Sequence, residues 1–539
     1  MLKTLHGYLS WDLARTMLLA LVAFTLVMTV FAVIEPMRKQ GLDGTQVLSL
    51  FGYTIPVMLS LTMPIAALFA STFVYGRFSQ DNELMACRAS GIAAMTLLRP
   101  ALVLGVMITA ASLYLSNSVA PDLAERANQS IKNNVRGFAY SQLRQKGMVK
   151  HEAQILFADD VDEEHNTIYG MMLLDHKDPN DILIVMAPQT QLQFVQQDGE
   201  MYASVWMEDT VVARTGRYDV GRQSSAPIDS IPLRSPIKED PSWYRWDRLR
   251  RTMANPAQNA EISRRFQRIR REIGQEMLAK EIMKAVQTGK AYDFKGPVNN
   301  SLTINAPIAR RQGPVVELVG RQGDEYPIKA KAVDPGIGRE IEAQSATIEN
   351  VWSTRWNAPL VSVTFRNART RMLEQSNPEG ARNEWTARDI IQVGELQAPR
   401  RIVDAIESMD MNTLCFEPQK LTDDPTILRD VKSIRERDIR KLQGSILGEM
   451  HGRIAYGLSC FLLVASGAAL GMLYRGGQIL SAFALSVIPA AIVIVMVLMG
   501  KEMLSNPGVD RAYGLAAVWS GIVLLTLGNI ALYARIIRR

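Results

Sequence analysis

GRFSQDNELMACRASG runs from Gly76 to Gly91, a short charged segment between two long apolar runs. Its reading decides the fold, because a chain that leaves a membrane so briefly must have a use for what it exposes there. Ser79 is placed to cap a helix, and Asp81 and Glu83 fall in a first turn, where the helix dipole favours negative charge. Gly91 supplies a C-terminal stop. The spacing therefore predicts a helix of about three turns near residues 79–91, too short and too polar to span. Leu84 and Met85 are expected to lie toward the bilayer. Glu83, Ala86, Cys87 and Ser90 share another face at i, i+3, i+4 and i+7.

On either side the chain is apolar. Six stretches carry no Asp, Glu, Lys or Arg: Thr16–Ile34, Gly44–Gly76, Pro100–Pro121, Ile454–Tyr474, Gly476–Gly500 and Ala512–Ala534. A crossing needs roughly 20 residues for about 30 Å, so the pattern predicts six transmembrane helices. A mean hydropathy of +0.00 over 539 residues conceals two apolar ends and a charged middle. The first run is too long for a signal peptide and has no small-residue cleavage site. Pro56 and Pro64 are tolerated in the second run where neighbours satisfy the freed backbone groups.

Short loops set the orientation. With both termini cytoplasmic, the inside carries Lys3, Arg15, Arg77, Arg88, Arg99, Arg475, Arg535, Arg538 and Arg539, and the outside Arg38, Lys39, Lys501 and Arg511. That bias follows the positive-inside rule. It places residues 122 to 453 across the membrane.

Within that middle, "AQILFADDV", "TIYGMMLLDH", "ILIVMAP" and "QTQLQFVQQDGEMYASVWMEDTVVAR" are strand-like runs separated by turn residues. The stretch from Pro241 to Lys290 is basic, with apolar residues and Glu at helical spacing, and reads as an amphipathic helical insert. Strand patterns return from about Ser301. A weak internal echo links "APQTQLQF" at Ala187 to "AQSATIEN" at Ala343, and "VWMEDTVVART" at Val205 to "VSVTFRNART" at Val361, both at a separation of 156 residues. It reads as a duplicated roll, although generic strand alternation produces such matches too.

No phosphate loop, HExxH, paired CxxC or GxSxG is present. The five histidines are scattered, so no metal site, cofactor or catalytic residue is expected. Cys87, Cys415 and Cys460 fall in separate regions and predict no disulfide framework. A net charge of +6 with interleaved signs gives no argument for nucleic acid. The uncharged spans disfavour an ion-coupled transporter. From physics alone the face of Glu83 has two readings. It is a docking point for an arginine of a cytoplasmic partner, or a solvated loop helix whose Glu satisfies the dipole.

The run "LTMPIAALFASTFVYGRFSQDNELMACRASGIAAMTLLRP" resembles the LptF/LptG permease family, membrane subunits of the ATP-driven exporter that extracts lipopolysaccharide. Pro64, Gly76, Glu83, Ala86, Ala89 and Gly91 carry the likeness, and "EMHGRIAYGLSCFLLVASGAALGMLYRGGQILSA" looks like the family's entry into its fourth span. The resemblance covers residues 1–235 and about 440–539; roughly 236–400 has no family counterpart. It implies an α-helical membrane protein with six transmembrane helices (3+3) flanking a large periplasmic β-rich, jellyroll-like domain with a helical insert.

The expected segments are 1–121 (three spans and the coupling helix), 122–235 (first part of the roll), 236–300 (helical insert), 301–445 (second β-rich segment) and 446–539 (three spans). By the same resemblance the chain is a multi-pass protein of the cell inner membrane with both termini cytoplasmic. Its implied partners are a cytoplasmic LptB-like ATPase dimer, a second LptF/LptG-type permease chain, periplasmic LptC/LptA-like jellyroll proteins, and lipopolysaccharide or a similar glycolipid. Glu83 occupies the position of the family's ATPase-contacting carboxylate, with Arg77 and Arg88 beside it. Arg38 and Lys39 resemble cations that meet lipid phosphates, and also read as plain interfacial anchors. The alternative function is a membrane-anchored scaffold or mechanotransmission protein that moves no lipid.

Overall fold

The computed structural model describes the backbone of every residue except 1, 41–43, 134–142, 145–146, 152–153, 177–181, 198–199, 216–218, 234–239, 297–299, 313–314, 322, 335–336, 354–357, 373–383, 474–478 and 539. The chain forms two compact units, residues 1–259 with 439–539, and residues 260–438.

The first unit begins with α1 (Leu2–Gln40), α2 (Gly44–Gln80), the short α3 (Glu83–Ala89) and α4 (Ala94–Tyr114). A π-helical turn at Leu115–Val119 leads into α5 (Ala120–Asn133). A first sheet follows, then α6 (Trp246–Ala254). The second unit contains α7 (Ala260–Gln287), a second sheet, and α8 (Arg400–Glu407), α9 (Met411–Phe416) and α10 (Pro425–Ser433). The chain then returns to the first unit as α11 (Arg440–Leu473), α12 (Ile479–Ser505) and α13 (Arg511–Arg538). Among the described residues six helical segments are long and apolar enough to cross a membrane: Lys3–Ile34, Thr54–Gln80, Ala94–Arg126, Pro425–Leu473, Ser486–Ser505 and Arg511–Arg538.

Lipid tails are as apolar as leucine, so packing among such helices relies on close approach and on interhelical polar bonds. Both are present. A Cβ on Gly471 would stand 2.8 Å from the Gly76 nitrogen and 3.0 Å from the Thr72 carbonyl oxygen, and one on Gly467 would stand 2.3 Å from Ser71 Oγ. The pair Gly467 and Gly471, four apart, thus seats α11 directly on α2. Gly500 does the same for α12 on α13, where a Cβ would meet the Val518 nitrogen at 2.6 Å. The Thr25 and Thr62 hydroxyls bond across α1 and α2 at 2.8 Å, and Asn529 on α13 donates to the Leu462 carbonyl at 3.0 Å.

The first sheet holds β1 (Met148–His151), β2 (Gln154–Phe157), β3 (Asp160–Asp162), β4 (Thr167–Asp175), β5 (Leu183–Gln197), β6 (Glu200–Arg214) and β7 (Asp219–Leu233). All pairings are antiparallel, in the order β1-β2-β4-β5-β6-β7, with β3 on β4. Its buried face gathers Val161, Ile168, Met171, Leu173, Val185, Ala187 and Met207, together with Leu143 just before β1.

The second sheet holds β8 (Tyr292–Lys295), β9 (Ser301–Asn305), β10 (Ile308–Gln312), β11 (Val315–Val319), β12 (Ile328–Asp334), β13 (Ile337–Ser353), β14 (Ala358–Met372) and β15 (Thr386–Gln397). Because β13 also pairs with β14 and β15 with β8, the strands β13-β12-β9-β8-β15-β14 form a closed ring of six. Leu278, Ala279, Ile282 and Val286 of α7 and Ile402 and Ile406 of α8 share one core with this sheet. The strands begin at Tyr292 rather than Ser301, and residues 400–433 are helical rather than β-rich. The apolar spacing of Ile402 and Ile406, both buried against the sheet, makes that segment an amphipathic helix.

Candidate functional site

The stretch Gly76–Gly91 folds differently from its sequence reading at one end. α2 continues to Gln80, so Ser79 lies inside it, buried, rather than capping the next helix. The break comes at Asn82, whose φ of 60° is left-handed and stops the helical ladder. A short polar side chain tolerates that region better than most. α3 then runs from Glu83 to Ala89, and the turn after it passes through Gly91, φ 79°, where the Ile92 amide returns to the Cys87 carbonyl at 3.0 Å. Glycine is the residue that adopts this conformation without Cβ strain.

Seven residues are too few for an isolated helix to persist, since nucleation is unfavourable. α3 is held by Leu84. Its side chain is 1% exposed and joins the core cluster of Leu9, Leu13, Phe78, Leu97 and Leu98. It therefore faces protein rather than the bilayer, while Met85 next to it is 43% exposed. The surrounding bonds fix the same end of the bundle. Tyr75 donates to the Leu97 carbonyl at 2.7 Å, and His6 Nε2 lies 3.0 Å from the Thr96 carbonyl.

Opposite Leu84, the residues Glu83, Ala86 and Ser90 are exposed and Cys87 is half-buried. Burial, and then the neighbouring Glu83, push the Cys87 thiol above its usual value of 9.0. Glu83 makes no ion pair among the described residues. Arg77 is different: its guanidinium binds Asp12 of α1 at 2.6 Å, so it braces α1 against α2. Arg88 is half-buried in the last turn of α3. Arg38 and Lys39 fall near the end of α1, and their side chains lie outside the described residues.

A second polar cluster escaped the sequence reading. Glu449 and Arg453 sit one turn apart on α11 and are both buried. Arg453 bonds Glu449 at 3.3 Å and donates to the Tyr244 and Ser242 carbonyls at 3.0 and 2.7 Å; Lys501 of α12 also binds Glu449. Gly448 and Gly452 leave the groove in which Lys501 lies, since a Cβ on Gly452 would stand 3.0 Å from Lys501 Cδ. The i, i+4 pair with a glycine before each member was the available signal. Its partners 211 residues away were not visible. A buried charge needs such partners, and each cation here has one.

Comparison with known proteins matches residues 7–223 to the family described as lipopolysaccharide export system permease LptF/LptG. A protein of Rickettsia prowazekii (strain Madrid E), described as Uncharacterized protein RP871, is 24% identical over 151 residues, covering 27% of this chain and 41% of that protein. The chain thus spans less than half the length of that relative. Over residues 7–223, which contain α3 and Glu83, the chain is similar to the LptF/LptG permease family.

Proposed function

We propose that the chain is a permease subunit of an ATP-driven exporter in the inner membrane. It extracts lipopolysaccharide, or a similar anionic glycolipid, and passes it to a periplasmic β-roll. It hydrolyses no nucleotide itself; a cytoplasmic LptB-like ATPase dimer does so. One observation carries the reading. Glu83 stands exposed and without an ion pair among the described residues, on a helix whose next residue, Leu84, is sunk in the bundle core. A partner that grips that carboxylate pulls on α2 and α4 through Leu84, and α2 is seated on α11 through Gly467 and Gly471.

Two permease chains enclose an apolar cavity open to the outer leaflet, and acyl chains enter because they prefer apolar walls to water. Each buried CH₂ is worth about 0.8 kcal/mol, so removing several chains from the bilayer requires tens of kcal/mol gross. Protein contacts return most of this at each step. Nucleotide binding narrows the cavity, and the lipid rises into the roll. Arg38 and Lys39 hold the phosphates at the membrane surface.

The test is purification of the tagged chain from its own membranes, followed by lipid release in proteoliposomes with and without ATP. The proposal expects an ATPase subunit and a second permease chain in the complex, and ATP-dependent release. A complex without a nucleotide-binding subunit would favour a membrane-anchored scaffold and end the proposal.

A further inference from the structure

The two sheets correspond strand by strand. β2 and β3 map onto β9 and β10 with a shift of 148 residues, since Leu156 and Ile304, Ala158 and Ala306, and Val161 and Ala309 occupy equal places. β4 maps onto two strands: its first half, through Ile168, onto β11 with a shift of 150, and its second half, from Met171, onto β12 with a shift of 157. The seven added residues fall at Gly170, whose counterpart is Gly320. β5 maps onto β13 with a shift of 156, and β6 onto β14 with a shift of 158. The change from 156 to 158 is the hairpin connection, two residues (198–199) in one case and four (354–357) in the other.

Two irregularities agree as well. The register of β6 on β7 slips between Ala203 and Val205, and that of β14 on β15 between Val361 and Val363, the same positions at a shift of 158. Asp209 and Asn367, again 158 apart, both have positive φ, at 52° and 47°. A left-handed non-glycine residue inside a strand is uncommon. Bulges mark particular positions in a sheet, so two coincidences in one register are poorly explained by generic alternation.

The copies differ in three ways, all in one direction. β8 and β15 close the second sheet into a ring that shares its core with α7, whereas in the first sheet β1 pairs only with β2 and β7 only with β6, among the described residues. On the buried face, Thr190 and Thr210 are 0% exposed and their hydroxyls have no hydrogen-bond partner among the described residues; the second copy has Ala346 and Ala368 there. On the opposite face, two cross-strand rows of the first copy are apolar, Met172–Met186–Val211 and Leu174–Ile184–Ala213. Their counterparts are all charged: Lys329, Glu342 and Arg369, then Lys331, Glu340 and Arg371. Glu342 binds Arg369 and Glu340 binds Arg371, each at 2.6 Å.

We infer that the two rolls have divided their work: acyl chains of the glycolipid contact the first copy alone, and the second is a sealed copy that stays in water. The inference rests on the transport reading above. An open sheet with apolar rows outside and, inside, two hydroxyls without a partner among the described residues suits a ligand that is mostly hydrocarbon and carries ester or amide carbonyls for those hydroxyls to meet. A closed ring with its own helix packed on its core and an ion-pair ladder outside has no such surface left.

The test places a photoreactive benzoylphenylalanine at Met186, Met207, Glu342 or Phe365 in the full complex, and illuminates proteoliposomes containing lipopolysaccharide with and without ATP. Lipid adducts are expected at Met186 and Met207, rising with ATP, and at neither Glu342 nor Phe365. The double variant Thr190→Ala/Thr210→Ala carries the residues of the second copy and should fold; its adduct yield at Met207 should fall roughly two- to tenfold. Adducts at Phe365 or Glu342 matching those of the first copy would overturn the inference, as would adducts at no site while release continues. Absence of ATP-dependent release from the unaltered complex would instead overturn the transport reading.

Discussion

Replacing Leu84 with alanine separates the attachment of α3 from the contact with an ATPase proposed for it. Leu84 is 1% exposed within the bundle cluster, and truncating such a leucine costs about 2.7–5 kcal/mol in a core. Here the loss falls on seven residues that cannot sustain a helix alone. The low end, about 3 kcal/mol, lowers the ratio of docked to undocked α3 by roughly a hundredfold, at 1.4 kcal/mol per factor of ten. Glu83 is untouched, so the ATPase should still co-purify and hydrolyse ATP. The stroke should no longer reach α2 and α4. Lipid release per ATP in proteoliposomes should fall at least about tenfold for Leu84→Ala, while Leu84→Met, which keeps the volume, should retain most of it. Wild-type release by a folded Leu84→Ala complex would refute the argument. Loss of the ATPase itself would show that Leu84 belongs to the contact rather than to its mounting.

Glu83→Arg should do the converse, sharply reducing both ATPase co-purification and export while leaving the thermal unfolding of the permease unchanged. Gly471→Leu must push α11 off the backbone of α2, since even a Cβ would sit 2.8 Å from the Gly76 nitrogen; overpacking of this kind costs about 1–3 kcal/mol or more, read as a lower unfolding temperature in detergent. Cys87 is half-buried, whereas Cys415 and Cys460 are 3% and 0% exposed, so a membrane-impermeant maleimide should label Cys87 first in the purified protein. In cells with a permeabilised outer membrane it should not label Cys87 if α3 is cytoplasmic, and its labelling rate should still be rising at pH 9 because the thiol is held above its usual value. Asp424 caps α10 through the Thr426 amide and binds Arg311 at 2.8 Å, and these bonds hold its carboxyl below the usual 3.8. A lowered folded-state value means the stabilisation is complete above 3.8 and is lost as pH falls through the folded value. Asp424→Ala should therefore cost about 1 kcal/mol at neutral pH and less in acid melts.

How much was legible in advance depended on the range of the interactions involved. Six helices could be read directly, because the absence of charge over a spanning length is a property of consecutive residues. The alternation of the strands is equally local, as is the short helix with Glu83 and its glycine stop. The start of that helix was misplaced by four residues: the break at Asn82 is a backbone conformation that no side-chain pattern announces. Leu84 was assigned to lipid for a related reason. Periodicity says that a residue has a neighbour on its side of the helix, and not whether that neighbour is lipid or Leu97.

The second roll shows the same division. An echo at 156 residues was audible because one strand pair keeps that spacing, but its hairpin partner is shifted by 158, and only paired registers reveal where the two residues went. The Glu449–Arg453–Lys501 cluster, with its carbonyl partners at Ser242 and Tyr244, likewise exists only once distant segments are brought together. Sequence by itself determined which segments prefer lipid, which alternate and which carry an exposed carboxylate, since hydrophobicity and periodicity are summed along the chain. Tertiary structure decided which face of α3 is held, which roll is closed and which charges are paired, because those depend on contacts between residues far apart in the chain.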